Sequence, residues 1–285
     1  MADYILEAEN LSYIYPDGTQ ALKGLYLRIP RSQKTAVLGS NGAGKSTLFL
    51  HFNGILKPKS GTVKFNGNNV SYDRRSLLEL RKNVGIVFQD PDSQLFSASV
   101  YQEISFGPLN LGLTEKTVRD RVERAMTATG INELKDKPTH MLSYGQKKRV
   151  TIADILAMEP QVLICDEPTA WLDPKHAKQT LQLFDKIIQN GTTVVLSTHD
   201  VDLAYSWADY VFIMSDGRVI GEGVPDKVFS DDALLRNADL DRPWLVDVHD
   251  LLIKKGCIPP KATLPRNKEE LFEKILYHGI CTGEQ

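Results

Sequence analysis

The sequence predicts an α/β fold with a largely parallel sheet, a helical insertion and a small C-terminal helical extension. Three observations predict it. Short apolar runs alternate with stretches of helical period over most of the chain, the strand pattern disappears between residues 89 and 160, and the character changes again after about residue 240.

The expected strands are residues 4–8, 25–29, 35–38, 63–65, 84–88, 162–165, 193–196 and 210–214, all of buried-strand length. The expected helices are 45–56, 115–129, 145–158 and 174–189. Beyond them, PWLVDVHDLLIKKGC has helical spacing and IPPKATLPRN is a linker interrupted by proline. KEELFEKILYHGI reads as a second amphipathic helix with Leu271, Ile275 and Leu276 on one side. The chain therefore divides into a main unit over residues 3–240, with its helical part at about 89–160, and an extension over 241–285.

Composition narrows the classes of partner. Lys and Arg number 34 against 36 Asp and Glu, a formal net charge of -2, so no global basic field favours nucleic acid. No apolar run approaches the roughly 18 to 20 residues that cross a bilayer, and MADYILEAEN lacks the basic start of a signal peptide. A cytoplasmic protein is expected. Cys165, Cys257 and Cys281 form no CxxC pair and suit a reducing compartment, with Cys165 a small core residue inside a strand. The six histidines are scattered, which argues against a dedicated metal binder.

Chemistry concentrates in a few segments. GSNGAGKST, residues 39–47, follows a strand and opens a helix, the context a phosphate-binding loop requires. Gly39, Gly42 and Gly44 let the backbone of Ser40, Asn41 and Ala43 curl, so that N–H groups and the helix N-terminus face phosphate oxygens. Lys45 would reach the β- and γ-phosphates, and Ser46, followed by Thr47, would hold Mg²⁺. VLICDE is a buried strand ending in two carboxylates; strand alternation sends Asp166 and Glu167 to opposite sides, so they take different tasks. Asp166 is the metal partner through water, and Glu167 orients and deprotonates the attacking water. STHD ends the next strand, where His199 is either a polar loop residue or a contact of the γ-phosphate. Gln89 projects from the same edge, its amide oxygen a further Mg²⁺ ligand. Tyr15 either stacks on a base or packs into the core.

One segment is left over. LSYGQ, residues 142–146, sets a second Ser/Gly helix start about a hundred residues after the first. In the order GSNGAGKST, Gln89, LSYGQ, VLICDEPTAWLD and STHD, residues 3–240 resemble the ATPase subunit of ATP-binding cassette (ABC) transporters, which implies a P-loop NTPase fold of the ABC type. The resemblance implies that Ser143, Gly145 and Gln146, with Asp173 of the loop before residue 174, act on ATP bound by a second subunit in a head-to-tail dimer, whether self or a paralogue. Tyr144 departs from the family pattern, standing where a glycine would, and is expected to crowd or stack on the partner's nucleotide; Trp171 replaces a small residue in the loop that pairs across the dimer.

Residues 88–113 and KKRVTIADILAMEP are similar to the ATPases of energy-coupling factor (ECF) importers. That similarity implies a groove at the Gln89 region and the helical part for an integral membrane coupling subunit, with Leu95, Phe96 and Phe106 either lining it or packing the helical part, plus a substrate-binding membrane component, with the chain peripheral on the inner face of the cell membrane. It leans to cobalt or nickel as cargo; a shared vitamin-importer ATPase is the alternative. A soluble ABC ATPase acting on ribosomes or DNA usually carries two cassettes or a long coiled coil. A P-loop metabolite kinase leaves LSYGQ and His199 unexplained.

Overall fold

All eight expected strands form, but they divide between two sheets. The computed structural model describes residues 4–278. The hairpin of β1 (Tyr4–Ile14) and β2 (Gln20–Pro30) turns at Asp17, whose carboxylate accepts from the Thr19 N–H at 2.9 Å. β3 (Lys34–Leu38) enters the second sheet and leads through the glycine-rich loop into α1 (Lys45–Phe52). β4 (Ser60–Phe65) and β5 (Asn68–Asn69) return to the first sheet, which runs β2-β1-β4-β5 and is antiparallel throughout. A largely parallel sheet was expected; the β1–β2 and β4–β5 connections turn back without a crossover helix, and β4 returns antiparallel to β1 after β3 and α1, so this part forms an antiparallel sheet of its own.

α2 (Arg74–Asn83), capped by Asp73, delivers β6 (Val84–Val87) to an edge of the second sheet. Helices α3 (Val100–Asn110), α4 (Glu115–Thr129) and α5 (Tyr144–Ala157) follow, with no strand until β7 (Val162–Cys165). α6 (Pro174–Gln189), β8 (Thr193–Thr198), α7 (Val201–Trp207), β9 (Tyr210–Ser215) and β10 (Arg218–Gly223) complete the alternation. The order β10-β9-β3-β8-β7-β6 is parallel apart from β10. Its carboxyl edge gathers the ends of β3, β6, β7 and β8, where an open α/β sheet binds its ligands. α1 stops four residues earlier than its pattern suggested, because Gly54 turns left-handed at φ 70°.

Three apolar clusters hold these layers. Leu6, Leu22, Phe49 and Phe52 meet Val37, Ile164 and Phe212 between the sheets. Val122, Met126, Val150 and Ala153 build the helical subdomain's own core. Phe184, Tyr205, Trp207 and Val211 cover the far face of the parallel sheet. The short α8 (Pro225–Val228) and α9 (Asp232–Asn237) lead to α10 (Trp244–Lys254) and α11 (Lys268–His278), whose Leu245, Val246 and Leu271 join that last cluster. Each such burial contributes about 1.5–3 kcal/mol, enough to seat helices joined by a proline-rich linker. On α11, Leu271 and Ile275 face the core, but Leu276 is 75% exposed: one residue beyond the i,i+4 pair turns about 100° away. Cys165 is buried as expected, its thiol pushed up to about 12 by burial, while Cys281 lies outside the described residues.

Candidate active site

A cleft of about 350 Å³ opens at the carboxyl edge of the parallel sheet. Its floor is the loop between β3 and α1, with Asn41, Gly42, Ala43, Gly44, Lys45, Ser46 and Thr47 in the lining and Tyr15, Gln89, Asp166 and Glu167 on the walls. Two glycines are demanded by their surroundings: a Cβ on Gly39 would lie 2.3 Å from the Met214 carbonyl oxygen and one on Gly44 2.7 Å from that of Ala21, both at positive φ. Gly44 also leaves α1 without a side-chain cap, so the free N–H groups of its first turn remain available at the cleft. Lys45 Nζ donates to the carbonyls of Gly39 at 2.7 Å and Ser40 at 3.1 Å. Burial lowers the ammonium's pKa, an effect opposed by Glu167 and Asp166. Tyr15 stands at the mouth, its hydroxyl 3.1 Å from Thr47 Oγ1 and its ring edge-on to Tyr13.

The acidic pair departs from simple strand alternation. β7 ends at Cys165, and Glu167 adopts a left-handed φ of 46°, so the parity that would send the two side chains to opposite sides is reset. Both line the same cleft, 7% and 6% exposed. They are held differently. Asp166 accepts from the Ser197 hydroxyl, and Ser197 Oγ in turn accepts from the Glu167 N–H at 2.9 Å. His199 Nδ1 lies 3.1 Å from Glu167 Oε1, while most of its ring stays open to solvent. The polar residue at the end of β8 is therefore partnered with the candidate base.

None of Ser143, Gly145, Gln146 or Asp173 lines this cleft. Ser143 and Gln146 form a capping box on α5: the Gln146 N–H donates to Ser143 Oγ at 3.4 Å and the Ser143 N–H to Gln146 Oε1 at 3.0 Å. A Cβ on Gly145 would lie 3.5 Å from Leu172, at ordinary contact distance. Asp173 caps α6, accepting from the His176 N–H at 3.0 Å and pairing with its ring at 2.6 Å, bonds that lower its pKa. Trp171, left-handed at φ 63°, is 84% exposed.

Residues 22–170 match the ABC transporter family. The chain belongs to the ABC transporter ATPases. It is 51% identical over 256 residues to the energy-coupling factor transporter ATP-binding protein EcfA3 of Clostridium perfringens, covering 90% of each chain. Among solved structures it is similar to cbiO1 of Clostridium perfringens, part of the ABC transporter complex cbiONQ. That likeness has 51% identity and a TM-score of 0.75, over 87% of this chain and 99% of that one. It is also similar, at 26% identity and TM-score 0.72, to a dimeric ATP-binding cassette in a post-hydrolysis state with ADP and phosphate, over 78% of this chain and 99% of that one.

The donors of this ABC ATPase fit Mg²⁺. Ser46, Gln89 and Asp166 all line the cleft and offer the hard oxygens that ion takes. Among the described residues no three His, Cys, Asp or Glu side chains gather to hold a metal alone, so phosphate oxygens and water must complete the shell.

Two groups of the ABC ATPase escaped the sequence reading. Ser197, which bridges Asp166 and Glu167, opens the STHD segment, which was read only for its histidine. A hydroxyl two residues before that histidine, on the strand next to the carboxylates, is the signal that could have found it. Lys148 is fully buried on α5, its pKa lowered by that burial, and donates to the carbonyls of Phe88 and Gln89, each at 2.8 Å. Nothing local in KKRV distinguishes it from Lys147 and Arg149, which are only half-buried.

Proposed function

We propose that this chain is the ATP-hydrolysing subunit of an ECF-type importer, docked on the inner face of the membrane, with cobalt or nickel ion as the cargo. The observation that carries the catalytic part is the Glu167–His199 pair on the wall of the cleft floored by residues 39–47. Ser46 and Gln89, with Asp166 behind water, would hold Mg²⁺, which when bound neutralises developing phosphate charge. Lys45 leaves the Gly39 and Ser40 carbonyls for the β- and γ-phosphates, and Tyr15 takes the base. Glu167 accepts a proton from the attacking water while His199 keeps that carboxylate oriented and contacts the γ-phosphate.

The signature residues Ser143, Gly145 and Gln146, with Asp173, serve the ATP of a second ABC subunit, so two nucleotides close a head-to-tail dimer. Their position off the chain's own cleft supports this, as does the dimeric state of the related cassette. In the helical subdomain Leu95 packs inward, whereas Phe96 and Phe106, 66% and 48% exposed, stack edge to face at 4.8 Å. That pair forms the contact for a membrane coupling subunit. Residues 241–278 cover the main core and act as a brace for it. The pattern of residues 88–113 supports an ion as cargo, and the likeness to cbiO1 supports a place in a transporter complex.

Mass spectrometry of membrane proteins that co-purify with the chain in mild detergent tests the assignment. A coupling subunit with one small metal-transport component is expected. Several different vitamin-binding components would instead make it a shared vitamin-importer ATPase, and no membrane partner at all would overturn the importer reading.

A further inference from the structure

The first two turns of α5 hold the segment after β6 at successive points. The Tyr144 hydroxyl donates to the Gln89 carbonyl at 3.0 Å, Lys147 pairs with Asp92 at 2.5 Å, and Lys148 grips Phe88 and Gln89 from below. Farther on, Gln94 accepts from the Phe88 N–H at 3.2 Å and reaches Asp154 of α5 at 3.4 Å. The residue where a glycine was expected thus directs its polar end into its own chain, not outward over a neighbour's nucleotide.

We propose that Tyr144 is a positioning residue for its own chain's cleft: it carries the placement of the α5 N-terminus to Gln89, and so links the partner's nucleotide to this chain's metal site. The inference rests on the function proposed above. Lys148, one turn farther along the same helix, holds Phe88 and Gln89 from a fully buried position. Tyr144 shares the Gln89 carbonyl with Lys148 but differs in place: it is half-buried and adjoins Ser143 at the exposed helix start, and the carbonyl it holds belongs to a residue that lines the cleft. A shift of α5 toward a partner's γ-phosphate pulls directly on the Gln89 backbone. The expected consequence is that the metal-dependent part of ATP binding, not the phosphate-loop part, depends on the Tyr144 hydroxyl.

The test uses the full chain carrying Glu167→Gln, so that nucleotide is not consumed, and reads equilibrium binding of a fluorescent ATP analogue with and without Mg²⁺. Adding Tyr144→Phe should leave binding without Mg²⁺ unchanged and cut the tightening produced by Mg²⁺ three- to tenfold. In the chain with Glu167 intact, the Mg²⁺ concentration that half-saturates turnover should rise by a similar factor. Tyr144→Gly should share the Mg²⁺ defect. A Tyr144→Phe chain with an unaltered Mg²⁺ response overturns the inference, as does equal weakening with and without Mg²⁺, which would mean the ring touches nucleotide directly. If the parent chain binds no ATP, the function itself falls; if only Tyr144→Phe is silent, this inference falls alone.

Discussion

The chain has two helix starts built from Ser and Gly, and they are finished in opposite ways. α1 begins behind Gly44 with no side-chain cap, walled by Asp166, Glu167 and Gln89, so its free N–H groups open into a cleft made by the same chain. α5 begins behind Ser143 with a reciprocal cap to Gln146 and stands away from that cleft. A helix N-terminus favours phosphate in either place. The difference teaches that the first is the floor of a site within this chain, whereas the second has no part in that cleft and, in the dimer proposed above, would complete a neighbour's.

The widest gap between the two ends should come from Glu167→Gln. Hydrolysis should fall by about 10²–10⁴-fold, while light scattering after gel filtration with ATP shows an accumulated dimer. Undiminished turnover would break the assignment of the base. Removing its neighbour with His199→Ala should cost roughly 10²-fold in turnover with nucleotide affinity little changed, measured by steady-state kinetics beside equilibrium binding.

Ser143→Ala sharpens the contrast from the other end. It removes the α5 cap, worth about 1 kcal/mol, and, in the proposed dimer, a donor to the partner's phosphate. Turnover should drop roughly ten- to a hundredfold, the worth of one hydrogen bond to a charged group, whereas Lys45→Ala should weaken ATP binding by the single chain, a split that isothermal titration resolves. If Ser143→Ala weakened single-chain binding as Lys45→Ala does, the two ends would not be separate.

The smallest effect lies in the helical subdomain, at the half-buried Asp154. Asp154 is pushed up to about 7, chiefly by burial and then by the nearby Glu103 carboxylate, with the Gln94 hydrogen bond opposing. The unfolded chain releases that proton near pH 4, so the protonated folded form loses stability as pH rises from about 4 toward 7. Asp154→Asn should therefore raise the melting temperature at pH 8 by a few degrees and change it little at pH 4. An equal shift at both would remove the titration as cause.

Much of the site was legible before any fold was known. Residues 39–47, the carboxylates after β7 and His199 after β8 all sit at one edge, because alternating strands and helices in a parallel sheet bring strand ends together. The division into two sheets was not legible, since short apolar strands look alike whichever sheet receives them. Leu276 was misplaced for a related reason: a helical pattern locates a stripe, and the packing partner decides where the stripe ends.

By itself the sequence determined the phosphate loop, the order of the motifs and the helical insertion. These are properties of contiguous residues, whose backbone preferences and spacing act locally. Only the tertiary structure decided that Asp166 and Glu167 share one cleft, that Ser197 ties them together, and that Tyr144 and Lys148 hold Gln89. Those contacts join residues 30 to 60 positions apart in the chain. Their geometry follows from a left-handed turn at Glu167 and from how α5 packs beneath β6, neither of which any local pattern encodes.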